Sequence, residues 1–302
     1  MKLSLKSLLP ARDLGWNRVR ALCSLPDCHN KLLTKYVPGS PAGLFVGEQW
    51  YCSPDCFALG INSTLAVLSS GSVIEMPRNP RLSLGLALLS KGYLTDDQYR
   101  SALVHSQRCG EPLESTLMEC GFITEKQLAA GRATQWGCPA LAQELSGSIV
   151  EIDLPVALFR ALRAAPLHYS AKTKRLLLGF VDRVEHSLLQ AIETITGCRA
   201  EPCFISPAEF SEQIERLTAL PDYREAFVED LGTPLQMGRA LGGWAVEMGA
   251  REASVAKCGS YLWARITGRR GTVDVVFSLK PAFAASRAKF PTRVPEVTMH
   301  MG

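Results

Sequence analysis

The chain of 302 residues contains no G-x-x-x-x-G-K-[ST] segment, no H-E-x-x-H and no G-x-S-x-G. Without the first there is no loop to cradle β- and γ-phosphates, so ATP hydrolysis by these residues is not expected. Without the others, the zinc-peptidase and α/β-hydrolase signatures are gone. Its five histidines, at 29, 105, 168, 186 and 300, stand in unrelated contexts, and the carboxylates gather at helix starts, where capping accounts for them. No catalytic residue is assigned, and an enzyme is not expected. Charge of one sign is also scarce. Lys and Arg number 33 against 29 Asp and Glu, leaving +4, which suits an anionic ligand but not the concentrated basic face of a nucleic-acid binder.

Long hydrophobic runs are missing too. No residue between Cys56 and Glu75 is charged, yet Asn62, Ser63, Thr64, Ser69, Ser70, Gly71 and Ser72 interrupt the stretch, whereas a spanning helix needs about 20 mainly apolar residues. A surface helix followed by a flexible linker is expected there, and no membrane span. The run at Met1 to Trp16 is broken by Lys6, Ser7 and Pro10, so no export signal is read and a cytoplasmic protein is expected. What is present, 47% hydrophobic residues over this length, suffices for two or three cored domains.

Ten cysteines are present. Cys109, Cys120, Cys138, Cys198, Cys203 and Cys258 are scattered and read as small apolar residues of a reducing compartment. Cys23-x4-Cys28 and Cys52-x3-Cys56 differ: they are short-spaced pairs, with 23 residues between them and a proline inside each. Two such knuckles deliver four thiolates to the tetrahedron that Zn²⁺ prefers, with no position left for a reacting water. The segment from Trp50 to Phe57 looks like the second half of a treble-clef-type finger, with Cys56 in the first turn of a helix and Pro54 and Asp55 suited to that turn. Four unligated cysteines or two disulfides are the alternatives, and His29 is an alternative ligand. With no clustered arginines or lysines between 23 and 56, the module is expected to dock protein or to be structural.

One pattern is written twice. Leu84, Leu88, Gly92, Leu94, Thr95 and Gln98 recur 29 positions later as Leu113, Leu117, Gly121, Ile123, Thr124 and Gln127. In each copy leucines four apart share a helical face, glycine stops the helix, and a threonine-to-glutamine capping box starts the next. Two helical hairpins should pack through Leu84, Leu88, Leu94, Leu103, Leu113, Leu117, Ile123 and Leu128.

The series Leu84-Gly85-x-x-Leu88-x-x-x-Gly92-x-Leu94, then Ala102-Leu103, then a second copy ending at Gln135-Trp-Gly-Cys-Pro139, resembles the amino-terminal (MshEN) domain of type II secretion and type IV pilus assembly ATPases. The resemblance spans roughly residues 80 to 218 and runs more weakly to about 280. It implies an α+β fold in which paired hairpins pack with a small α/β half, and a protein partner in a secretion or pilus machine. Some members of that family bind cyclic di-GMP through the paired motifs. Carried over, the nucleotide-binding candidates are Arg81, Leu84, Gly85, Leu88, Gly92, Leu113, Leu117, Gly121 and Gln135. The family places an arginine before each Leu-Gly pair, as suits a grip on phosphate or stacking on guanine. Here Ser83 and Pro112 stand there, Glu114 replaces the second glycine, and the first terminal glutamine falls on Ser106. Without two charge-assisted hydrogen bonds, at about 1.5–3 kcal/mol each, binding weakens by more than about a hundredfold. Three readings follow: a docking protein without a motor, a cyclic di-GMP receptor, and a subunit that associates with a full-length secretion ATPase.

Further on, 149–154 alternates like a strand and 155–163 like a short helix. A hairpin is expected from 167–170 and 175–180, then a helix over 184–196, a strand over 199–205, and a last helix opened by Ser206 with Pro207 and Glu209. A helix over 235–248 and strands over 254–266 and 271–279 complete the pattern; Gly249-Ala250 to Ser254 and Arg265-Ile266-Thr267-Gly268 look like degraded landmarks of the next segment of the ATPase family. The expected organisation is a zinc-finger-like module at 1–62, a linker at 63–79, paired hairpins at 80–140, an α/β half at 141–220, a short α+β segment at 221–280 and a disordered tail at 281–302.

Overall fold

The computed structural model describes residues 23–28, 43–70, 82–141, 153–219, 224–229, 231 and 233–279. Arg81, His29, residues 149–152, residues 71–79 of the expected linker and the expected tail lie outside them. The elements, in order, are β1 (Leu44–Val46), β2 (Gln49–Tyr51), α1 (Pro54–Ser70), α2 (Leu84–Ser90), α3 (Asp96–Cys109), α4 (Leu113–Glu119) and α5 (Glu125–Trp136). There follow α6 (Val156–Ala161), β3 (Ala164–Ser170), β4 (Arg175–Phe180), α7 (His186–Thr196), β5 (Arg199–Phe204), α8 (Pro207–Thr218), β6 (Glu225–Val228), α9 (Pro234–Met248), β7 (Ala250–Cys258), β8 (Tyr261–Gly268) and β9 (Gly271–Ser278). The fold is α+β, as expected.

The repeat is a repeat of backbone as well as of letters. Thr95 and Thr124 start α3 and α5 with complete capping boxes and nearly equal angles, φ −91°, ψ 158° and φ −93°, ψ 162°. Gly92 and Gly121 end the preceding helices at φ +69° and +67°, a region that costs a residue with a Cβ. Leu84, Leu88, Leu94, Ala102, Leu117, Ile123 and Leu128 form one apolar cluster, with Leu113 at its margin. Leu103 does not join it. The phase of α3 turns Ala102 inward and leaves Leu103 36% exposed.

The α/β half follows the expected order. β3, β4 and β5 form a sheet in that order, antiparallel and then parallel, and the β4–β5 crossover is α7. Leu188, Ala191 and Ile192 of α7 are buried in a cluster that also takes Ala129 and Ala133 from α5, so the second hairpin is seated on this half.

The ends of the chain depart from the expected plan. β1 pairs with β7 (Phe45↔Glu252, Val46↔Ala253), and the strands run β2-β1-β7-β8-β9-β6 in one six-stranded sheet. The module expected at 1–62 and the segment expected at 221–280 therefore share a sheet and a core. Residues 63–70, expected as linker, are the last two turns of α1. Phe57, Ile61 and Leu65 are buried with Met237, Leu241 and Ala245 of α9, which is the apolar burial that keeps folded a helix with no charge beyond Asp55. The strand expected over 254–266 is two, because Gly259, at φ +57°, and Ser260 make a tight hairpin turn between β7 and β8.

Both faces of this sheet are covered where β7, β8 and β9 run through it. Leu262, Ala264 and Ile266 of β8 face α1 and α9, whereas Trp263 between them enters the cluster of the α/β half with Ala256, Cys258 and Val276. Asp274, fully buried on that second face, accepts from Trp263 Nε1 at 2.7 Å and from Arg265 Nε at 2.9 Å.

Candidate functional site

The four paired cysteines converge. β2 ends at Tyr51, so Cys52 follows a strand and Cys56 falls in the first turn of α1, where Ser53 Oγ accepts from Cys56 N–H at 3.2 Å. The facing knuckle is tied to β2 by Ser24 N–H donating to Trp50 O at 2.8 Å and is closed by Cys28 N–H donating to Leu25 O at 3.2 Å. The sulfurs of Cys28, Cys52 and Cys56 are 3.5–3.7 Å apart, and with Cys23 all four lie within 4.8 Å of one another. A disulfide brings its sulfurs to about 2.05 Å. A tetrahedron with metal–sulfur bonds of about 2.3 Å has an edge of roughly 3.8 Å. Three of the sulfurs stand at the spacing of the tetrahedron with the fourth close by, so the cluster can hold a metal ion. Burial, and after it the crowding of Cys56, Cys28 and Cys23, pushes the Cys52 thiol above its ordinary value. A cation among the sulfurs reverses that cost.

The residues proposed for a nucleotide are spread through the hairpins. Leu84, Leu88 and Leu117 are buried in the hairpin core, facing one another rather than an open site. Gly85 is a packing position: a Cβ there would lie 2.3 Å from Tyr99 Cε2. Gly92 and Gly121 are helix ends with open space around them. Gln135 is half-buried on the last turn of α5, and Leu113 is half-buried at the start of α4.

What the second hairpin holds instead is an ion-pair network that the sequence reading missed. Arg132, on α5, is buried, and its guanidinium donates to Glu114 of α4, to the Val181 carbonyl at 2.5 Å and to Asp182 Oδ1 at 3.3 Å. Asp182 also accepts from Arg163 Nε at 2.5 Å. Glu114 thus spends its charge inside the molecule. A signal for this pair does exist in the repeat: Glu114 and Arg132 stand where the first copy has Gly85 and Leu103, two departures of opposite charge in one copy.

No protein-family model matches the chain. Over 122 residues it is 26% identical to the type IV pilus assembly ATPase PilB of Thermus thermophilus, a match that covers 39% of this chain and 14% of the relative. Among solved structures, MshE with cdg is similar at 26% identity and a TM-score of 0.37, covering 45% of this chain and 99% of that one. The amino-terminal domain of XpsE is similar at 23% identity and a TM-score of 0.34, covering 46% and 96%. Among the described residues no helix is long and apolar enough to cross a membrane. The chain is therefore similar, over 39% of its length, to a type IV pilus assembly ATPase of which it spans 14%, and its 302 residues contain no G-x-x-x-x-G-K-[ST] segment.

Proposed function

We propose that this chain is a non-catalytic docking or regulatory protein of a cytoplasmic secretion or pilus machine, with a structural Zn²⁺ held by Cys23, Cys28, Cys52 and Cys56. The observation that carries the reading is the commitment of Arg132. The arginine buried where the two hairpins meet the α/β half is already matched by Glu114, Asp182 and the Val181 carbonyl. A dianionic cyclic dinucleotide arriving at the second motif meets the Glu114 carboxylate and must displace it from Arg132. The outer surface of the hairpins is left as the part able to meet a partner. The likeness to PilB supports a partner within such a machine. Zinc in the cysteine cluster neutralises thiolate charge and ties residues 23–28 to the β2–α1 junction, with no open position for catalysis.

Calorimetric titration of cyclic di-GMP into the full chain at physiological salt, with cyclic di-AMP as control, is expected to give no heat up to millimolar ligand. Micromolar binding that is lost on Leu84→Asp turns the protein into a second-messenger receptor and overturns the reading. Affinity capture with the full chain from cells that assemble pili is expected to retain a component of that machine, a full-length pilus ATPase being one candidate. Elemental analysis of the purified chain is expected to find one zinc per molecule, absent from Cys52→Ser.

A further inference from the structure

The duplication supplies an internal standard for what the surface of a hairpin is used for. α3 and α5 are equivalent helices, so Arg100, Leu103 and Val104 correspond to Ala129, Arg132 and Ala133. On α5 all three are buried: Ala129 and Ala133 enter the core of the α/β half, and Arg132 reaches Val181 and Asp182. On α3 the equivalent three are exposed, Val104 at 47%, and Ala102 is the one fully buried residue of a helix of fourteen. Among the described residues this face is covered in one copy and bare in the other.

The bare face has a definite chemistry. Arg100, Ser101, Val104, His105 and Arg108 line a shallow open recess along α3. From Gln98 to Cys109 the helix has no acidic residue, and neither arginine has a carboxylate partner among the described residues. Leu103 and Val104 supply an apolar centre beside two guanidiniums and an imidazole. Beyond the acidic first turn of Asp96 and Asp97, an apolar strip edged by two arginines is the complement of an amphipathic helix whose polar edge is acidic. A free anion uses the charges but not Val104 and Leu103.

We infer that the exposed face of α3, centred on Val104 and edged by Arg100, His105 and Arg108, is the docking surface for an acidic amphipathic helix of a partner protein. This deepens the docking reading and rests on it. The cover on α5 shows how much a copy of this face can bury, and the charge on α3 selects who buries it.

The test uses the full chain, ¹⁵N-labelled, and a short helical peptide with leucines at i, i+3, i+4 and i+7 and glutamates elsewhere. Its counterpart carries lysines in place of the glutamates. The acidic peptide is expected to shift amides within Gln98–Cys109, to weaken as salt rises, and to lose roughly tenfold or more in affinity in Arg100→Glu/Arg108→Glu and in Val104→Asp. These positions are exposed, and circular dichroism checks that the variants keep their helix. The milder Arg100→Gln/Arg108→Gln variant serves if they do not. No shift, shifts confined to other elements, or equal binding of both peptides overturns the inference. So does displacement of the acidic peptide by inorganic phosphate alone, which makes the recess an anion site. Where the full chain captures a component of a pilus machine, Arg100→Glu/Arg108→Glu is expected to abolish capture. Unchanged capture by that variant overturns this surface and leaves docking standing, whereas failure of the unaltered chain to capture anything removes the docking reading itself.

Discussion

Exchanging Glu114 and Arg132, singly and together, tests whether the second hairpin is held by the ion pair or only by its leucines. Arg132 is buried, whereas the Glu114 side chain is 41% exposed. A hydrogen bond to a charged group contributes about 1.5–3 kcal/mol, and the exposure of one partner cuts this by about half, so a coupling of about 0.8–1.5 kcal/mol is expected. Glu114→Ala leaves the guanidinium with Asp182 and the Val181 carbonyl, at a cost of about 1–2 kcal/mol. Arg132→Met keeps the aliphatic stem but leaves the Val181 carbonyl without its side-chain donor, at about 1–3 kcal/mol. The double variant should then cost less than the sum. Native-state hydrogen exchange on the amides of α4 and α5 reads the opening free energy of this hairpin directly, without assuming that the whole chain unfolds in one step. Coupling below about 0.3 kcal/mol, within the error of independent sites, refutes the argument.

Other consequences are open to simpler assays. With zinc bound, a thiol reagent at pH 8 should titrate Cys109 and Cys120, the two exposed cysteines, with half-buried Cys138 following slowly; a chelator should release four more, and Cys198, Cys203 and Cys258 should react only on unfolding. Burial pushes the Cys203 thiol up to about 12 and Cys138 to about 11. Raised folded values mean that their contribution to stability is whole below about pH 9 and is lost as pH rises through 11–12, so alkaline unfolding followed by circular dichroism should steepen there. Gly243→Ala, with open space around it, should stabilise the protein by up to about 1 kcal/mol in urea unfolding. Gly238→Ala should destabilise it by about 1–3 kcal/mol, because its Cβ would lie 2.5 Å from the Ala58 carbonyl oxygen. Asp274→Ala strips the buried carboxylate from Arg265 and Trp263 and should cost about 3–5 kcal/mol by the same measurement.

The parts legible in the sequence are those whose physics is local. Thr95 with Gln98, Thr124 with Gln127 and Ser206 with Glu209 announce helix starts within four residues, and each is a complete capping box. The cysteine knuckles likewise declare their geometry by spacing. A fourth box, Thr233-Pro-Leu-Gln236, is equally local and moves the start of α9 from 235 to Pro234. Gly259-Ser260 is hidden inside a run of strand-forming residues, so two strands read as one. The pairing of β1 with β7 has no local trace at all, since it rests on two registered residues on each side, far apart in the chain. Arg132 and Glu114, 18 residues apart, become legible only when one copy of the repeat is set against the other.

That distant pairing orders events during synthesis. Phe57, Ile61 and Leu65 are made well before the Met237 and Leu241 side chains that pack with them. At about 5–20 residues per second, the roughly 200 residues between them take on the order of ten to forty seconds to emerge. Through that interval the paired hairpins and the α/β half, whose packing partners are nearer in sequence, can close on their own. α1 meanwhile waits with the side that α9 covers unpaired, anchored by the cysteine cluster at its first turn and by Tyr51 against Phe57. A nascent chain halted at residue 219 carries that side bare. It is therefore the species on which a chaperone would act.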